Sequence, residues 1–321
     1  MRSRIEAVYS KIGPKLARTP VKDCLPLETS LDCRLHFKME NVQITGSFKL
    51  RGVLSKFSEL ADSGMEFDQV VAASTGNHAL AVCHAARAYQ VSPVIFVPEN
   101  VSGSKLSKIE ALGVEVHLKG AQSGETEQIA IAYAQKNQIP LIHPYNDPAV
   151  IAGQGTIGLE LHEQLKCLDQ VFVPVGGGGL ISGIAAYLKE ARPETKVIGV
   201  QPENANEMAA SVAKGKIVEP SSLHTISDGT AGGLDPDTIT YRYCKGLVDE
   251  FVLVEEIEIV NALKLIEIHM GLRVEPAAAL ALAGMLKNKQ RIAGMSCTGI
   301  ICGGNIALEQ YQQVVSMKFA N

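Results

Sequence analysis

Lys49 is the residue of this chain whose type and setting most clearly suggest chemistry. It lies in the segment Thr45-Gly46-Ser47-Phe48-Lys49-Leu50-Arg51-Gly52, between two glycines and at the start of an apolar run with helical spacing. A lysine amine that faces a site can form a Schiff base with a carbonyl compound and can also serve as a base. Most lysines are solvated surface charges, so a catalytic role for Lys49 needs support from other segments of the chain.

A glycine loop further along the chain has the features of an anion site. The apolar residues Val171–Val175 run directly into Gly176-Gly177-Gly178-Gly179, and a helical pattern follows from Leu180. Successive glycines let the backbone approach a ligand closely, and a helix start adds partial positive charge. The dinucleotide pattern G-x-G-x-x-G fails because Ile181 or Ser182 holds the third glycine position, and no Gly-Lys-Ser/Thr follows for a P-loop. The loop therefore suits a single phosphate, with a tight strand–helix turn as the alternative.

Two shorter segments add polar groups near predicted strand ends. Ser74-Thr75-Gly76-Asn77-His78 follows one strand and begins a helix, so its hydroxyls, amide and backbone N–H groups are suited to a carboxylate. An ordinary helix N-cap explains the same residues. Ile300-Ile301-Cys302-Gly303-Gly304-Asn305 places a thiol just past a buried strand. Buried cysteines are usually small core residues, and no metal-ligand spacing surrounds this one.

Composition excludes several classes of protein. The 321 residues are ample for one or two domains, and the net charge of −4 gives no basic surface for nucleic acid. Because no apolar stretch of about 18 residues occurs, a membrane span is not expected. No apolar h-region follows the first residues, so a secretory signal is not expected either. The seven cysteines are scattered without a C-x-x-C, which is typical of reduced thiols in a cytoplasmic protein.

The elements that would position these residues follow an α/β pattern. Strand-like and helix-like segments alternate for most of the length, which predicts two α/β lobes with a ligand cleft at the carboxyl ends of the strands. A long loop is predicted at Pro220–Thr238. The predicted strands are Gln69–Ala73, Pro93–Val97, Val114–Leu118, Pro140–Ile142, Gln170–Val175, Lys196–Val200, Glu250–Val254 and Gly299–Ile301. The predicted helices are Gly76–Gln90, Ser104–Leu112, Glu125–Asn137, Asp147–Leu165, Leu180–Ala191, Glu256–Gly271 and Glu275–Lys287.

Taken together, these segments resemble the fold type II (β-family) pyridoxal-phosphate enzymes, and among them the threonine and serine dehydratases (ammonia-lyases) and the serine racemases. The resemblance covers nearly the whole chain and also includes His143-Pro144, Pro148–Thr156 and Asp228-Gly229. It implies two open twisted sheet lobes with the cofactor in the cleft between them. The implied domains are a large cofactor-binding domain, residues 1–65 and 147–321, and a small domain, residues 66–146.

The resemblance also implies a role for each site residue. Lys49 would be the Schiff-base lysine for pyridoxal 5'-phosphate and the catalytic base, with Thr75 as a second catalytic group. Phe48 would lie against the cofactor ring, Asn77 would bind its phenolic oxygen, and Cys302 would face its nitrogen. The phosphate would be held by Gly176, Gly177, Gly178, Gly179 and Leu180. The substrate carboxylate would lie among Ser74, Thr75, Gly76 and His78, with Gly229 on the opposite wall.

The implied reaction is elimination of water from L-threonine or L-serine, giving a 2-oxo acid and ammonia. A neutral thiol at the ring nitrogen, with an ordinary pKa of about 8.5, would favour prompt loss of the β-hydroxyl. Serine racemase is an alternative, because Thr75 keeps the hydroxyl that these racemases place there as serine. The same residues also allow a dehydratase of a different β-hydroxy amino acid such as 3-hydroxyaspartate, or a protein that binds the cofactor without releasing ammonia.

Accessory features are expected from the same resemblance. A weak divalent metal site for Mg²⁺ or Mn²⁺ would involve Ala205 and Glu207, weakened because Gln201 stands where a carboxylate ligand is expected. We expect a cytoplasmic homodimer that acts on a small amino acid, without nucleic acid or membrane partners. Sixteen residues follow Asn305, so a regulatory C-terminal domain and isoleucine inhibition are not expected.

Overall fold

Two sheets organise the fold of this computed structural model, which describes residues 1–220 and 223–317. The larger sheet has the strand order β1-β2-β9-β6-β7-β8, and the smaller one the order β3-β4-β5. Every neighbouring pair is parallel except β1 with β2. The strands are β1 (Val21–Asp23), β2 (Arg34–Met39), β3 (Gln69–Ala73), β4 (Ser92–Val97), β5 (Glu115–Leu118), β6 (Gln170–Pro174), β7 (Lys196–Pro202), β8 (Glu250–Val254) and β9 (Ser296–Ile301).

Helices connect the strands, as parallel pairing requires. Their starts follow local chemistry: the Asp147 carboxylate accepts hydrogen bonds from the backbone N–H groups of Ala149 and Val150, and Pro148 takes the first helical position. The helices are α1 (Arg2–Ile12), α2 (Leu25–Leu31), α3 (Lys49–Asp62), α4 (Asn77–Tyr89), α5 (Gly103–Glu110), α6 (Ser123–Asn137), α7 (Pro148–Gln164), α8 (Gly179–Ala191), α9 (Glu207–Lys214), α10 (Thr240–Leu247), α11 (Glu256–Met270), α12 (Pro276–Lys287), α13 (Lys289–Ile292) and α14 (Leu308–Val315).

Separate apolar cores cover the two sheets. The large sheet is buried on both sides, and every residue of β6 and β9 is buried, as expected for central strands of a parallel sheet. The small sheet has one core shared with α3, which contributes Leu50, Val53, Leu54 and Phe57, and a second, smaller core around Phe96. Helix α3 therefore contacts the core of the small sheet, while its first residue, Lys49, lines a pocket that also contains the ends of β6 and β9.

A fully buried ionic network fixes the start of α3. Arg51 donates to both oxygens of Glu40 at 2.8 Å and to both oxygens of Glu160 at 2.8 and 2.9 Å. Lys38, on β2, donates to Glu160 at 2.5 Å. None of these four side chains is exposed to solvent. Because Arg51 is two residues beyond Lys49, this network fixes the backbone that carries the lysine.

The strands and helices predicted from β3 to β9 are present in the predicted order except for one, and helices α9, α10 and α13 were not predicted. Pro140–Ile142 is not a strand, since only Leu141 forms a single parallel bridge with Val71. The backbone bonds there run from Val71 N–H to Pro140 and from Ile142 N–H to Val71, so pairing is limited to one residue.

The N-terminal strands β1 and β2 were not predicted. In the predicted loop Pro220–Thr238, Asp228–Thr230 forms a short 3₁₀ helix, while Ser221 and Ser222 lie outside the described residues. Across the described ranges, no helix combines the length and apolar character that a membrane crossing needs.

Candidate active site

One pocket gathers most of the residues singled out in the sequence. It lies where β6 and β9 end, because Pro174 closes β6 and Cys302 follows the last residue of β9. The backbone N–H of Phe48 donates to the carbonyl of Cys302 at 3.1 Å, which joins the start of α3 to this end of the sheet. The lining residues are Phe48, Lys49, Pro144, Tyr145, Pro174, Gly176, Gly177, Gly178, Gly179, Leu180, Gly229, Thr230, Ala277 and Cys302.

Lys49 presents its amine to this pocket. Its Nζ donates to the carbonyl of Pro144 at 3.1 Å and lies 5.2 Å from the centre of the Phe48 ring. Burial lowers the pKa of Lys49 to about 8, against the opposing charge of Glu127. A lowered pKa raises the neutral fraction of the amine near neutral pH, and only the neutral amine is nucleophilic.

The glycine loop forms a concave surface of backbone N–H groups beside Lys49. Gly178 has φ +84°, and a Cβ on Gly177 would lie 2.4 Å from the Tyr145 ring. Among the described residues, no group accepts a hydrogen bond from the N–H groups of Gly176 to Gly178, and helix α8 begins at Gly179. Free N–H groups at a helix N-terminus bind phosphate. The loop and the Lys49 amine therefore fit a phosphate-bearing aldehyde cofactor such as pyridoxal phosphate.

Cys302 lines the same pocket as a neutral thiol. Its side chain is buried, with 7% of the residue exposed. Burial, and next the nearby Glu275 carboxylate, raise the pKa of the thiol well above its usual range. The group that would face a bound ring here is therefore uncharged.

The segment Ser74–His78 lies outside this pocket lining, at the carboxyl end of β3 and the start of α4. The Ser74 hydroxyl accepts a hydrogen bond from the Gly76 N–H at 3.1 Å. His78 is buried, and its Nε2 donates to the carbonyl of Ile142 at 2.7 Å. Burial, with the neighbouring charge of Lys49, lowers the pKa of His78 to about 3, so the ring is neutral.

Asn77 is connected to the Cys302 loop through Glu275 and Asn305, neither of which was assigned a role in the site from the sequence. Its Nδ2 donates to both carboxylate oxygens of Glu275 at 2.9 Å. Its Oδ1 accepts from Asn305 Nδ2 at 2.7 Å. These contacts bring the start of α4 to the end of the large sheet where Cys302 lies.

Tyr145 and His143 form a second polar cluster beside the glycine loop; the resemblance includes His143, but neither residue was assigned a role from the sequence. His143 Nε2 lies 3.1 Å from Glu127 and 3.1 Å from Asp235. Burial disfavours the charged ring, but the two carboxylates raise the pKa of His143 to about 9. His143 Nδ1, however, accepts backbone N–H bonds from Tyr145 and Asn146. An Nδ1 that accepts carries no proton, so in this arrangement His143 is neutral with its proton on Nε2, and the carboxylates favour uptake of a second proton only where these backbone bonds are given up.

The segment expected to hold a metal has its polar groups engaged with one another. The buried Gln201 amide donates to the carbonyl of Ala205 at 3.3 Å and accepts from the Ala209 N–H at 2.8 Å. Glu207 is buried at the first position of α9. The carbonyl expected to bind a cation thus accepts a hydrogen bond from the glutamine that replaces a carboxylate.

Comparisons with known proteins agree with this geometry. Residues 12–303 match the family model described as pyridoxal-phosphate dependent enzyme. The chain is 40% identical to L-threonine ammonia-lyase of Thermotoga maritima over 282 residues, which are 88% of this chain and 70% of that enzyme. It is 38% identical to the catabolic L-threonine dehydratase of Staphylococcus aureus over 315 residues, covering 97% of this chain and 90% of that one.

Solved structures show the same architecture. Maize serine racemase superposes with a TM-score of 0.90 at 34% sequence identity, covering 97% of this chain and 95% of the racemase. The family match, the sequence identity and the shared fold agree along nearly the whole length. The chain belongs to the family of pyridoxal-phosphate dependent enzymes, of fold type II.

Proposed function

We propose that this enzyme is an ammonia-lyase that removes water from L-threonine, L-serine or both, and releases a 2-oxo acid and ammonia. The observation that carries the proposal is the Lys49 amine, with its pKa lowered to about 8, beside the free N–H groups of the glycine loop. The similar enzymes of Thermotoga maritima and Staphylococcus aureus, both named for threonine, support the substrate class.

Each group in the pocket has a distinct task in this reaction. Bound pyridoxal phosphate supplies the electron withdrawal that makes the Cα–H bond of an amino acid acidic. Lys49 would hold the cofactor, and its Nζ would take the Cα proton of the substrate. The glycine loop and Leu180 bind the phosphate through their N–H groups. Phe48, which lines the pocket, would lie against the ring.

The start of α4 would bind the substrate carboxylate. Ser74, Thr75 and Gly76 offer hydroxyl and backbone N–H groups at a helix N-terminus, where a negative charge is stabilised. The side-chain N–H of His78 is already donated to Ile142, so His78 contributes its backbone N–H. Gly229 forms the opposite wall, where a Cβ would come within 3.2 Å of Ala277.

Cys302 favours elimination over side reactions. A thiol whose pKa is raised by burial stays neutral and gives the ring nitrogen no negative partner. A ring without a negative partner at its nitrogen would withdraw electrons more weakly, which would favour prompt loss of the β-hydroxyl. Elimination of water is therefore expected to outrun transamination.

Serine racemisation is a second activity that one residue favours. Thr75 carries a hydroxyl at the end of β3, where it would meet the substrate face opposite Lys49, and maize serine racemase shares the fold. A hydroxyl there can return a proton to the second face. We propose racemisation as a minor activity, removed by Thr75→Ala.

Finer properties are proposed on the same basis. We expect a cytoplasmic homodimer, activity on L-serine as well as L-threonine, and weak stimulation by Mg²⁺ or Mn²⁺ through Ala205 and Glu207. The proposed domains are a small one of residues 66–146 and a large, cofactor-binding one of residues 1–65 and 147–321. Added chelator should accordingly change the rate little, because the Ala205 carbonyl is already hydrogen-bonded.

Incubation of the holoenzyme with a panel of β-hydroxy amino acids tests the function. The panel contains L-threonine, L-serine and 3-hydroxyaspartate, and 2-oxo acid, ammonia and D-isomer are measured in the same samples. We expect equal amounts of oxo acid and ammonia from L-threonine or L-serine, with D-serine as a minor product. Cofactor binding without ammonia from any of them would refute the proposal.

A further inference from the structure

The Glu275 carboxylate lies where three segments of the site meet. Both of its oxygens are 2.9 Å from Asn77 Nδ2, and the backbone N–H of Asn305 donates to Oε1 at 2.8 Å. A Cβ on Gly303 would lie 2.4 Å from Oε1, so glycine after Cys302 is what lets the carboxylate come this close. Glu275 therefore acts beside the pocket, through the residues that it contacts.

The contacts of Asn305 and Glu275 determine which side-chain atom of Asn77 donates and which accepts. The carbonyl of Thr45 can only accept, so the Asn305 atom 2.8 Å from it must be the amide nitrogen. That nitrogen also lies 2.7 Å from Asn77, whose facing atom must then be its oxygen. The amide nitrogen of Asn77 is thereby directed to Glu275, which as a carboxylate accepts. The network thus determines the orientation of the Asn77 amide.

One N–H of Asn77 remains unused. The two oxygens of one carboxylate lie in nearly the same direction from Nδ2, whereas the two N–H bonds of an amide diverge widely. One N–H therefore serves both oxygens of Glu275. Among the residues that the structure describes, the second N–H has no acceptor.

We propose that Glu275 is a positioning residue that locks the Asn77 carboxamide with its free N–H presented as a donor to the cofactor. This rests on the proposed function, in which Asn77 binds the phenolic oxygen of pyridoxal phosphate. Held in this way, Asn77 cannot turn its oxygen towards the cofactor, so it stabilises the ionised phenolic oxygen and disfavours the protonated one.

The same carboxylate acts on a second part of the site. Its negative charge, after burial, helps to raise the pKa of the Cys302 thiol. Burial raises the pKa of Glu275 itself, while the donors Asn77 and Asn305 oppose that shift. The charge on Glu275 is therefore maintained by the two residues that it orders, and the three form one unit.

The substitution Glu275→Gln tests the proposal with little change of shape. A glutamine places an N–H group against Asn77 Nδ2 or the Asn305 N–H, and two donors cannot bond to each other. The readouts are titration of the apoenzyme with pyridoxal phosphate and the visible absorption of the holoenzyme as a function of pH. We expect about tenfold weaker cofactor binding, equivalent to about 1.4 kcal/mol, and a shifted midpoint of the pH-dependent spectral change.

A double-mutant cycle with Asn77→Ala separates positioning from a general structural role. If Glu275 acts through Asn77, the double variant binds the cofactor like Asn77→Ala alone and has the same spectral midpoint. The proposal would be overturned if the losses of cofactor affinity in the two single variants add up in the double variant. It would also be overturned if the midpoint of the pH-dependent spectral change is the same in Glu275→Gln as in wild type. The matched control is Glu28→Gln on α2, whose Oε1 accepts from the Leu35 N–H at 3.0 Å away from the pocket, and it should behave as wild type.

These readouts are independent of turnover. Both are measured without substrate. An enzyme that binds the cofactor and releases no ammonia would refute the proposed function, but the coupling between Glu275 and Asn77 could still be measured. If ammonia release is normal and the substitutions at Glu275 and Asn77 show no coupling, only the proposed role of Glu275 is refuted.

Discussion

At the scale of single residues, the protonation states of Lys49 and Cys302 depend on their burial away from water. The same burial lowers the pKa of Lys49 to about 8 and raises that of Cys302. Desolvation disfavours the charged form of each group, which makes the lysine nucleophilic and keeps the thiol inert. The two residues were predicted to lie in one site from the sequence, but these opposite effects depend on the pocket that surrounds them.

The lowered pKa of Lys49 predicts how cofactor capture by the apoenzyme depends on pH. Because only the neutral amine attacks the aldehyde, the rate should rise about tenfold per pH unit below pH 8 and then level off. Stopped-flow absorbance after mixing with pyridoxal phosphate measures this, with Nα-acetyl-lysine as the reference for the aldehyde's own titration. A rate that keeps rising to pH 10 would show an ordinary, solvated lysine.

At the scale of elements, the phosphate site is a property of the β6–α8 turn together with Tyr145. The turn needs glycines because the Tyr145 ring fills the space that a Cβ on Gly177 would occupy. The Tyr145 hydroxyl accepts a hydrogen bond from the Asp235 N–H at 3.1 Å, which fixes the ring. The loop is therefore held in shape before any ligand binds.

Gly177→Ala should weaken cofactor binding by about tenfold or more while leaving the fold intact, since crowding of one methyl costs about 1–3 kcal/mol. Titration of the apoenzyme with pyridoxal phosphate gives the affinity, and circular dichroism checks the fold. Gly124→Ala on α6 is the control, because a Cβ there meets nothing within 4 Å. Wild-type affinity in the Gly177 variant would contradict the assignment of the phosphate to this loop.

Helices α9, α10 and α13 were not predicted, but the other elements from β3 to β9 were predictable because apolar runs and glycines mark their bounds. β2 was not, since it carries His36 and Lys38 in a strand that lies inside the large sheet. Lys38 can be buried because its amine donates to Glu160, to Gln164 and to the carbonyl of Thr19, and the first two are 122 and 126 positions away. Glu275 was missed for a similar reason: a glutamate before Pro276 is ordinary at a helix start, and its contact Asn77 is 198 positions away.

At the scale of the whole molecule, the buried network of Lys38, Glu40, Arg51 and Glu160 joins β2, α3 and α7. Its charges satisfy one another, so removing one leaves its partners uncompensated in the interior. Lys49 is on the same helix as Arg51, two residues earlier, so this network connects global stability to the geometry of the site.

Glu160→Gln should lower the free energy of unfolding by about 3–5 kcal/mol, measured by urea denaturation of the apoenzyme. Glu163→Gln on the same helix is the control: its pair with Arg18 is half exposed, and such pairs contribute about 0–1 kcal/mol. Equal, small losses in both variants would mean that the buried network does not hold α3 in place.

The proposed ammonia-lyase activity depends on Lys49. Its most direct test is the release of ammonia and 2-oxo acid from L-threonine and L-serine by wild type, Lys49→Ala and the control Lys22→Ala, in which an exposed lysine of β1 is removed. We predict steady turnover by wild type and the control, and none by Lys49→Ala, even though its fold and its phosphate loop remain. Near-normal turnover by folded Lys49→Ala would contradict this claim.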